Sequence, residues 1–241
     1  MAPRTFPRAA ILAVVLACTL SADSTQSIER AMGPYYAALV ASARGNTDAT
    51  SRHLLLFASR WETAVREARS APPRAIQQDP AWPAVLDEVT ATIARVRELV
   101  RVRDVASAHA ELETIRSAFR DVRGRHNALT FDDYMTDYHE GIERLLGHVA
   151  GRNEIRLTAK DFADADEDLK AAQAAWQLVQ KSGSSIANQP GWALAAREAA
   201  TRLSESDRAI TVRNATALGR AVEQLKTNYY DLLLAVAKAR G

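Results

Sequence analysis

The segment Thr130–Glu140 holds the densest mixture of residue types that could bind a metal ion. On a helix, Met135 and His139 are four residues apart and therefore share a face, with Asp137 on the neighbouring face. A thioether beside an imidazole suits copper, and a carboxylate beside an imidazole suits zinc. A further ligand would have to come from another helix, and His126 is the best placed. The sequence thus predicts a copper or zinc site made of His139, Met135, His126 and Asp137.

The same residues also have a purely structural interpretation. Met135 would fill the core, and His139 would hydrogen-bond to a neighbour. The carboxylates near the start of the helix would be favoured by the positive end of the helix dipole, without any metal. No His-x-x-x-His or cysteine-based spacing adds weight to the metal interpretation. Both interpretations stay open at this point.

The chain carries no recognisable catalytic motif. No Ser/His/Asp set or glycine-rich loop has the local context that its chemistry requires. Glu-x-x-His pairs, which form carboxylate centres inside helical bundles, are absent from the sequence. The sequence therefore indicates a binding protein and not an enzyme.

The charge balance argues against nucleic acid as a partner. The chain has 31 Lys and Arg against 29 Asp and Glu. Arg4 and Arg8 lie in a segment that we expect to be removed, so 29 basic residues would face 29 acidic ones. A balanced chain has no overall field to attract a phosphate backbone.

The N-terminus has the form of a bacterial secretory signal. A basic start is followed by an apolar run of about nine residues and a small polar exit, and the run is too short to span a bilayer. Residues 1–22 are therefore predicted to be a signal peptide. Cleavage could fall after Ala17, Ser21 or Ala22. Alternatively, Val15 to Cys18 resembles a lipobox, in which case Cys18 would carry lipid. We expect a periplasmic protein or one tethered to the outer membrane, with membrane contact only through that anchor.

Hydrophobic residues recur at helical spacing along the rest of the chain, and the alternation typical of strands is absent. The first four predicted helices end at Gly45, at Pro72-Pro73, near Val102 and at Gly124. Thr47 or Asp48 is predicted to cap the second helix, and Asp104 the fourth. The single cysteine allows no intramolecular disulfide, so the fold must be stabilised by helix packing.

A shift of 110 residues aligns residues 80–122 with residues 190–232 without a gap. Trp82 aligns with Trp192, and Val102-Arg103 aligns with Val212-Arg213. The capping residue Asp104 aligns with Asn214, which can also cap a helix. Helical periodicity alone would align apolar residues but not these others as well, so the pattern indicates a duplication. The predicted fold is all-α, with two tandem four-helix up-down bundles at residues 24–128 and 129–241.

This order of elements resembles the soluble periplasmic cytochrome b four-helix bundle family. The features that carry the resemblance are Met32 near the start of the first helix, the Gly45-Asn46 break, the Ala71-Pro72-Pro73 loop, the charged junction Arg101–Asp104, and Glu223-Gln224-Leu225-Lys226-Thr227 in the last helix. The resemblance covers most of residues 28–126 and, more faintly, 136–235. It implies the bundle fold.

The resemblance also implies a haem held by a methionine of the first helix and a histidine near the end of the fourth. Met32 matches the methionine. The histidine position is occupied by Arg123 in the first repeat and by Leu233 in the second, and His126 lies three residues beyond it. Met32 and His126 are thus the candidate haem ligands. Covalent haem is excluded because the sequence has no Cys-x-x-Cys-His.

These observations predict an exported, non-enzymatic helical-bundle protein that binds a ligand or a protein partner. The candidate cofactors are haem b, copper or zinc in the first repeat. The alternative function is that of a periplasmic electron-transfer haem protein.

Overall fold

The described residues of the chain are entirely helical and turn-forming. A computed structural model describes residues 9–149, 157–183 and 185–241, with side chains from Ser24 onward except at position 190. These ranges contain eight α-helices and one short 3-10 helix and no strand. The helices are α1 (Ala9–Ala43), α2 (Thr47–Ser70), α3 (Trp82–Arg101), α4 (Val105–Arg125), α5 (Phe131–Val149), α6 (Ala159–Ser182), α7 (Pro190–Thr211) and α8 (Ala215–Ala239), and the 3-10 helix is Arg74–Ile76. The all-α fold class is confirmed.

The predicted signal peptide, residues 1–22, and the lipidation candidate Cys18 lie outside the residues whose side chains are described. Within the described part of the chain, no helix is both long enough and apolar enough to cross a membrane.

Polar side chains cap the helices close to where the sequence predicts. Asp104 accepts a hydrogen bond from the Ser107 amide at 3.1 Å, and its repeat partner Asn214 accepts one from the Ala217 amide at 3.0 Å. The cap of α2 is Asn46, not Thr47 or Asp48, because the Asn46 side chain reaches the Ala49 amide at 3.0 Å. Each cap satisfies an amide that the first helical turn leaves without a partner.

Four helices end in the same backbone arrangement, with one residue in the left-handed region. At the end of α3, the Arg103 amide donates to the Val100 carbonyl and the Asp104 amide to the Leu99 carbonyl. This pair of hydrogen bonds defines a Schellman turn. The left-handed residues are Gly45 after α1 (φ 68°), Arg103 after α3 (φ 63°), Asn127 after α4 (φ 51°) and Arg213 after α7 (φ 51°).

The helices pack in two groups of four that share one core. Each of α1–α4 contacts its sequence neighbours, and α1 also contacts α4; α5–α8 repeat this pattern. The groups meet where α1 packs on α8 and α4 packs on α5. Buried apolar side chains form one continuous cluster through both groups. Because the core is not divided, the separation into two tandem bundles stays a prediction.

Repeat-related tryptophans anchor the start of α3 and of α7. Trp82 is 3% exposed and Trp192 is 4% exposed. Trp82 packs 6.2 Å from the Phe119 ring, and Trp192 packs 5.4 Å from the Phe131 ring, both measured between centroids. The two repeat-related tryptophans are thus both buried.

Replacing either tryptophan should therefore destabilise the fold to a similar extent. We expect Trp82→Ala and Trp192→Ala each to lower the free energy of unfolding by about 3–5 kcal/mol, because each change removes a large buried aromatic and leaves a cavity. Urea unfolding measures the effect. Leu55→Ala, at a residue that is mostly exposed, should cost less than about 0.5 kcal/mol. Losses that small at both tryptophans would contradict their equivalent packing.

Candidate functional site

His139, the central residue of the predicted metal site, lies in a buried polar network. Its Nδ1 is 2.5 Å from Nη2 of Arg116 on α4. A guanidinium can only donate hydrogen bonds, so Nδ1 must be the acceptor and the ring proton must be on Nε2. Nε2 is 3.2 Å from Glu143 Oε1, an ion-pair distance, although it is not aligned for a hydrogen bond. Both ring nitrogens thus face protein groups.

The imidazole of His139 is neutral in this setting. Burial lowers its pKa to about 4, and the nearby Arg116 charge acts in the same direction, whereas Glu143 opposes the shift. The pKa of Glu143 is itself lowered to about 2, first by its interaction with His139 and then by Lys226, against the effect of burial. Lys226 Nζ lies 3.1 Å from Glu143 Oε1. A neutral imidazole therefore stands between a buried cation and a carboxylate.

Arg116 is the centre of the network and is only 5% exposed. Its Nη1 donates to the Tyr229 hydroxyl on α8 at 2.7 Å, and its Nη2 pairs with Glu113 one turn earlier on α4. The Tyr229 ring in turn lies 4.6 Å from the His139 ring, measured between centroids. One guanidinium thus joins α4 of the first helix group to α5 and α8 of the second.

The network continues toward α1 through His109. His109 Nε2 lies 3.5 Å from Glu113 Oε1, and its Nδ1 lies 3.1 Å from the Ser42 hydroxyl. The charges balance, because Arg116 and Lys226 offset Glu113 and Glu143. Sequence analysis missed this cluster as a whole, since its members come from four helices and local spacing links only those on the same helix.

The other two ionisable metal candidates have different partners. His126, just past the end of α4, places Nε2 2.8 Å from Asp79 Oδ2, and Arg125 binds the same oxygen at 3.0 Å. A hydrogen bond from the Ala81 amide is the main reason that the pKa of Asp79 is lowered. This cluster fastens the α2–α3 loop to the end of α4. Asp137 pairs with Arg120.

The fourth metal candidate, Met135, is buried in the core. Within the described ranges, no group of three or more His, Cys, Asp or Glu side chains is arranged to hold a metal ion. The described residues therefore give no support to the predicted copper or zinc site, and the structural interpretation of these residues agrees with their contacts.

The residues suggested as haem ligands lie in different surroundings. Met32 is buried in the core, and His126 is bound to Asp79. At the family's histidine position, Arg123 pairs with Asp133 at 3.0 Å, and Leu233 is fully buried. A cavity of about 220 Å³ lies near the first described turns of α1 and the end of α4, and neither Met32 nor His126 lines it. The two residues thus do not present a ligand pair to a shared space.

A second unusual feature lies on the surface, at the turns after α3 and α7. Val102 is 58% exposed and Val212 is 64% exposed, and each precedes an arginine in the left-handed conformation. We call residues 102–104 and 212–214 the paired turns. Arg103 and Arg213 have no hydrogen-bonded or ion-paired partner among the described side chains. The 110-residue alignment already pairs Val102-Arg103 with Val212-Arg213. An alignment cannot show, however, that the valines are exposed or that the arginines are left-handed.

Comparisons of the chain with protein families, with curated proteins and with solved structures find no match.

The neutral state of His139 predicts a pH dependence of stability. Its pKa is about 4 in the fold and about 6.5 when unfolded. The unfolded chain therefore binds the extra proton first, so stability is complete above about pH 6.5 and falls as the pH is lowered toward 4. Over that range His139 alone should account for a loss of about 3 kcal/mol.

Urea unfolding at several pH values measures this loss. His139→Gln keeps an acceptor for Arg116 but cannot be protonated, so its profile should be flatter than that of the wild type between pH 6.5 and 4. His53→Gln, at a half-buried residue outside the network, serves as the control. A His139→Gln profile parallel to that of the wild type would show that His139 is not held neutral.

Proposed function

We propose that this chain is an exported, non-enzymatic binding protein that contacts a protein partner through the paired turns. The observation that carries the proposal is the repeated exposed Val-Arg, with the arginine in a left-handed conformation in both copies. The buried ionisable groups favour this interpretation over an enzyme, because they bind one another at the centre of the molecule.

The arginines in these turns are not the residues that the backbone prefers. A left-handed conformation costs a residue with a side chain about 1–2 kcal/mol, and glycine and asparagine tolerate it best. The corresponding turns after α1 and α4 use Gly45 and Asn127. Arg103 and Arg213 therefore carry a conformational cost that a contact with a partner would explain.

The chemistry of the turns indicates what kind of surface they fit. Each presents a solvated apolar side chain next to a cation that has no carboxylate partner. Arginine and exposed apolar groups are favourable in the centre of a protein interface once water is excluded. The matching partner would offer a shallow apolar patch bordered by Asp or Glu.

The position of the turns fits an exported, tethered protein. Consecutive helices alternate in direction, so the ends of α3 and α7 lie at one end of the molecule and the start of α1 at the other. A lipid on Cys18 would hold the start of α1 at a membrane. The paired turns would then face away from that membrane, toward a partner in the periplasm.

Site-directed photo-crosslinking in the native host tests the proposal. A photoreactive amino acid at position 102 and, separately, at position 212 should yield crosslinks to the same partner. The same probe at position 178 on α6, where Leu178 is 41% exposed, should not. Absence of a shared product, or an equal product from position 178, would contradict the proposal.

Glycine substitutions separate binding from stability. Arg103→Gly and Arg213→Gly should each stabilise the fold by about 0.5–1 kcal/mol, because glycine relieves the left-handed strain but loses more entropy on folding. The double variant should lose most of the crosslinking from positions 102 and 212. Gly45→Ala, the opposite change in an equivalent turn, should destabilise the fold and leave crosslinking unchanged. Full crosslinking by the double glycine variant would show that the arginines are not part of the contact.

A further inference from the structure

A cavity of about 220 Å³ lies at the opposite end of the helices from the paired turns. It is formed by the first described turns of α1, the 3-10 helix, the end of α4 and the α4–α5 loop, and it therefore lies where the two helix groups meet. We call it the junction cavity. Its lining residues are Thr25, Ile28, Glu29, Pro73, Arg74, Ala75, Ile76, Arg123, Ala128, Thr130 and Asp132.

The size of the junction cavity suits a small molecule. At about 30 Å³ for each water molecule in the liquid, it has the volume of about seven waters. Drug-sized ligands occupy pockets of about 300–1,000 Å³, so a metabolite with fewer than about ten non-hydrogen atoms fits better. Ile28 and Ile76 are buried in its wall and, with Pro73, Ala75 and Ala128, give it an apolar side.

Among the described side chains, the polar side of the cavity carries both signs of charge. Glu29 and Asp132 are acidic, and Arg74 and Arg123 are basic. Arg123 is held by Asp133, which positions its charge at the wall. A ligand with only one sign of charge would meet a like charge across the cavity. A zwitterion can place its ammonium near the carboxylates and its carboxylate near the guanidinium groups.

Asp132 supplies a buried acceptor that the fold leaves incompletely used. The residue is 8% exposed, and its Oδ2 accepts a hydrogen bond from Arg240 at 2.9 Å. Its Oδ1 is also 2.9 Å from the same nitrogen but is not aligned for a hydrogen bond. Buried acceptors are normally paired. Glu29, the other carboxylate, makes no hydrogen bond or ion pair within the described part of the chain.

We infer that the junction cavity binds a small zwitterionic metabolite with an aliphatic body, of the size and chemistry of an aliphatic α-amino acid. The ammonium group lies toward the Glu29 and Asp132 carboxylates, the carboxylate lies toward Arg74 and Arg123, and the aliphatic body packs on Ile28 and Ile76. This site is independent of the paired turns, so either can fail its test without the other.

Three probes that share one aliphatic body test the inference on the full chain. They are L-leucine, 3-methylbutylamine, which is leucine without its carboxylate, and 4-methylpentanoate, which is leucine without its ammonium. Titration calorimetry and NMR chemical-shift mapping measure the binding of each. L-leucine should bind at least tenfold more tightly than either analogue, with shifts at Ile28, Ile76 and Thr130. Equal affinity for either analogue, or no binding of all three, would overturn the inference.

Two variants place the binding in this cavity. Ala75 is exposed at the rim, so Ala75→Phe should obstruct the mouth and reduce L-leucine affinity at least tenfold without unfolding the protein. Ala94→Phe, at an exposed alanine on α3, is the matched control and should bind as the wild type does. Glu29→Gln should weaken L-leucine and 3-methylbutylamine but not 4-methylpentanoate. Unchanged L-leucine binding in Ala75→Phe would show that it binds elsewhere and would overturn the inference.

Discussion

Burial of the Arg116 guanidinium is the constraint on which the arrangement of the two helix groups depends. A charge removed from water costs several kcal/mol unless hydrogen bonds and opposite charges replace its hydration. The replacements come from Glu113 on the same helix and from Tyr229 and His139 on two others. Since a guanidinium has donors in fixed directions, the relative positions of α4, α5 and α8 are fixed with it. A second buried pair, Arg240 with Asp132, joins the end of α8 to the start of α5.

This constraint explains why the ionisable residues of the core are poor candidates for chemistry. A histidine that serves as a metal ligand needs a free ring nitrogen, and a general base needs access to a substrate proton. In His139, Nδ1 accepts a hydrogen bond from Arg116, and Nε2 carries the ring proton and lies 3.2 Å from Glu143 Oε1. Met135 lies one turn from His139 on α5, but the charge beside His139 Nδ1 is that of Arg116, a residue 23 positions away in the chain. The same polar groups that could have formed a site instead hold the two halves together.

The limits of sequence analysis follow from the same distinction between local and distant partners. Helix type and most caps depend on residues within one or two turns, and the structure has the helices and the Asp104 and Asn214 caps where the pattern predicts them. The α2 cap is Asn46 and not the predicted Thr47 or Asp48. All three neighbouring residues have side chains that can accept from the amides of the first turn, so they compete for the same amides. Arg116, Glu143 and Tyr229 look like ordinary helix residues in the sequence. Arg116 meets His139 and Tyr229, which are 23 and 113 residues away, so no periodicity could reveal these contacts.

The centre of the molecule is occupied by structural ion pairs. The two proposals place recognition at the ends of the helices, and the two ends offer different chemistry. At one end, the paired turns project apolar and cationic groups into solvent, which suits a broad protein surface. At the other, the junction cavity is concave, small and lined by both signs of charge, which suits a small molecule. Asp132 lines that cavity and also pairs with Arg240, whose guanidinium lies 5.9 Å from the Tyr36 ring of α1. The wall of the cavity combines Ile28 on α1 of the first group with Asp132 on α5 of the second, so occupancy of the cavity would favour the associated arrangement of the two helix groups by its own binding free energy.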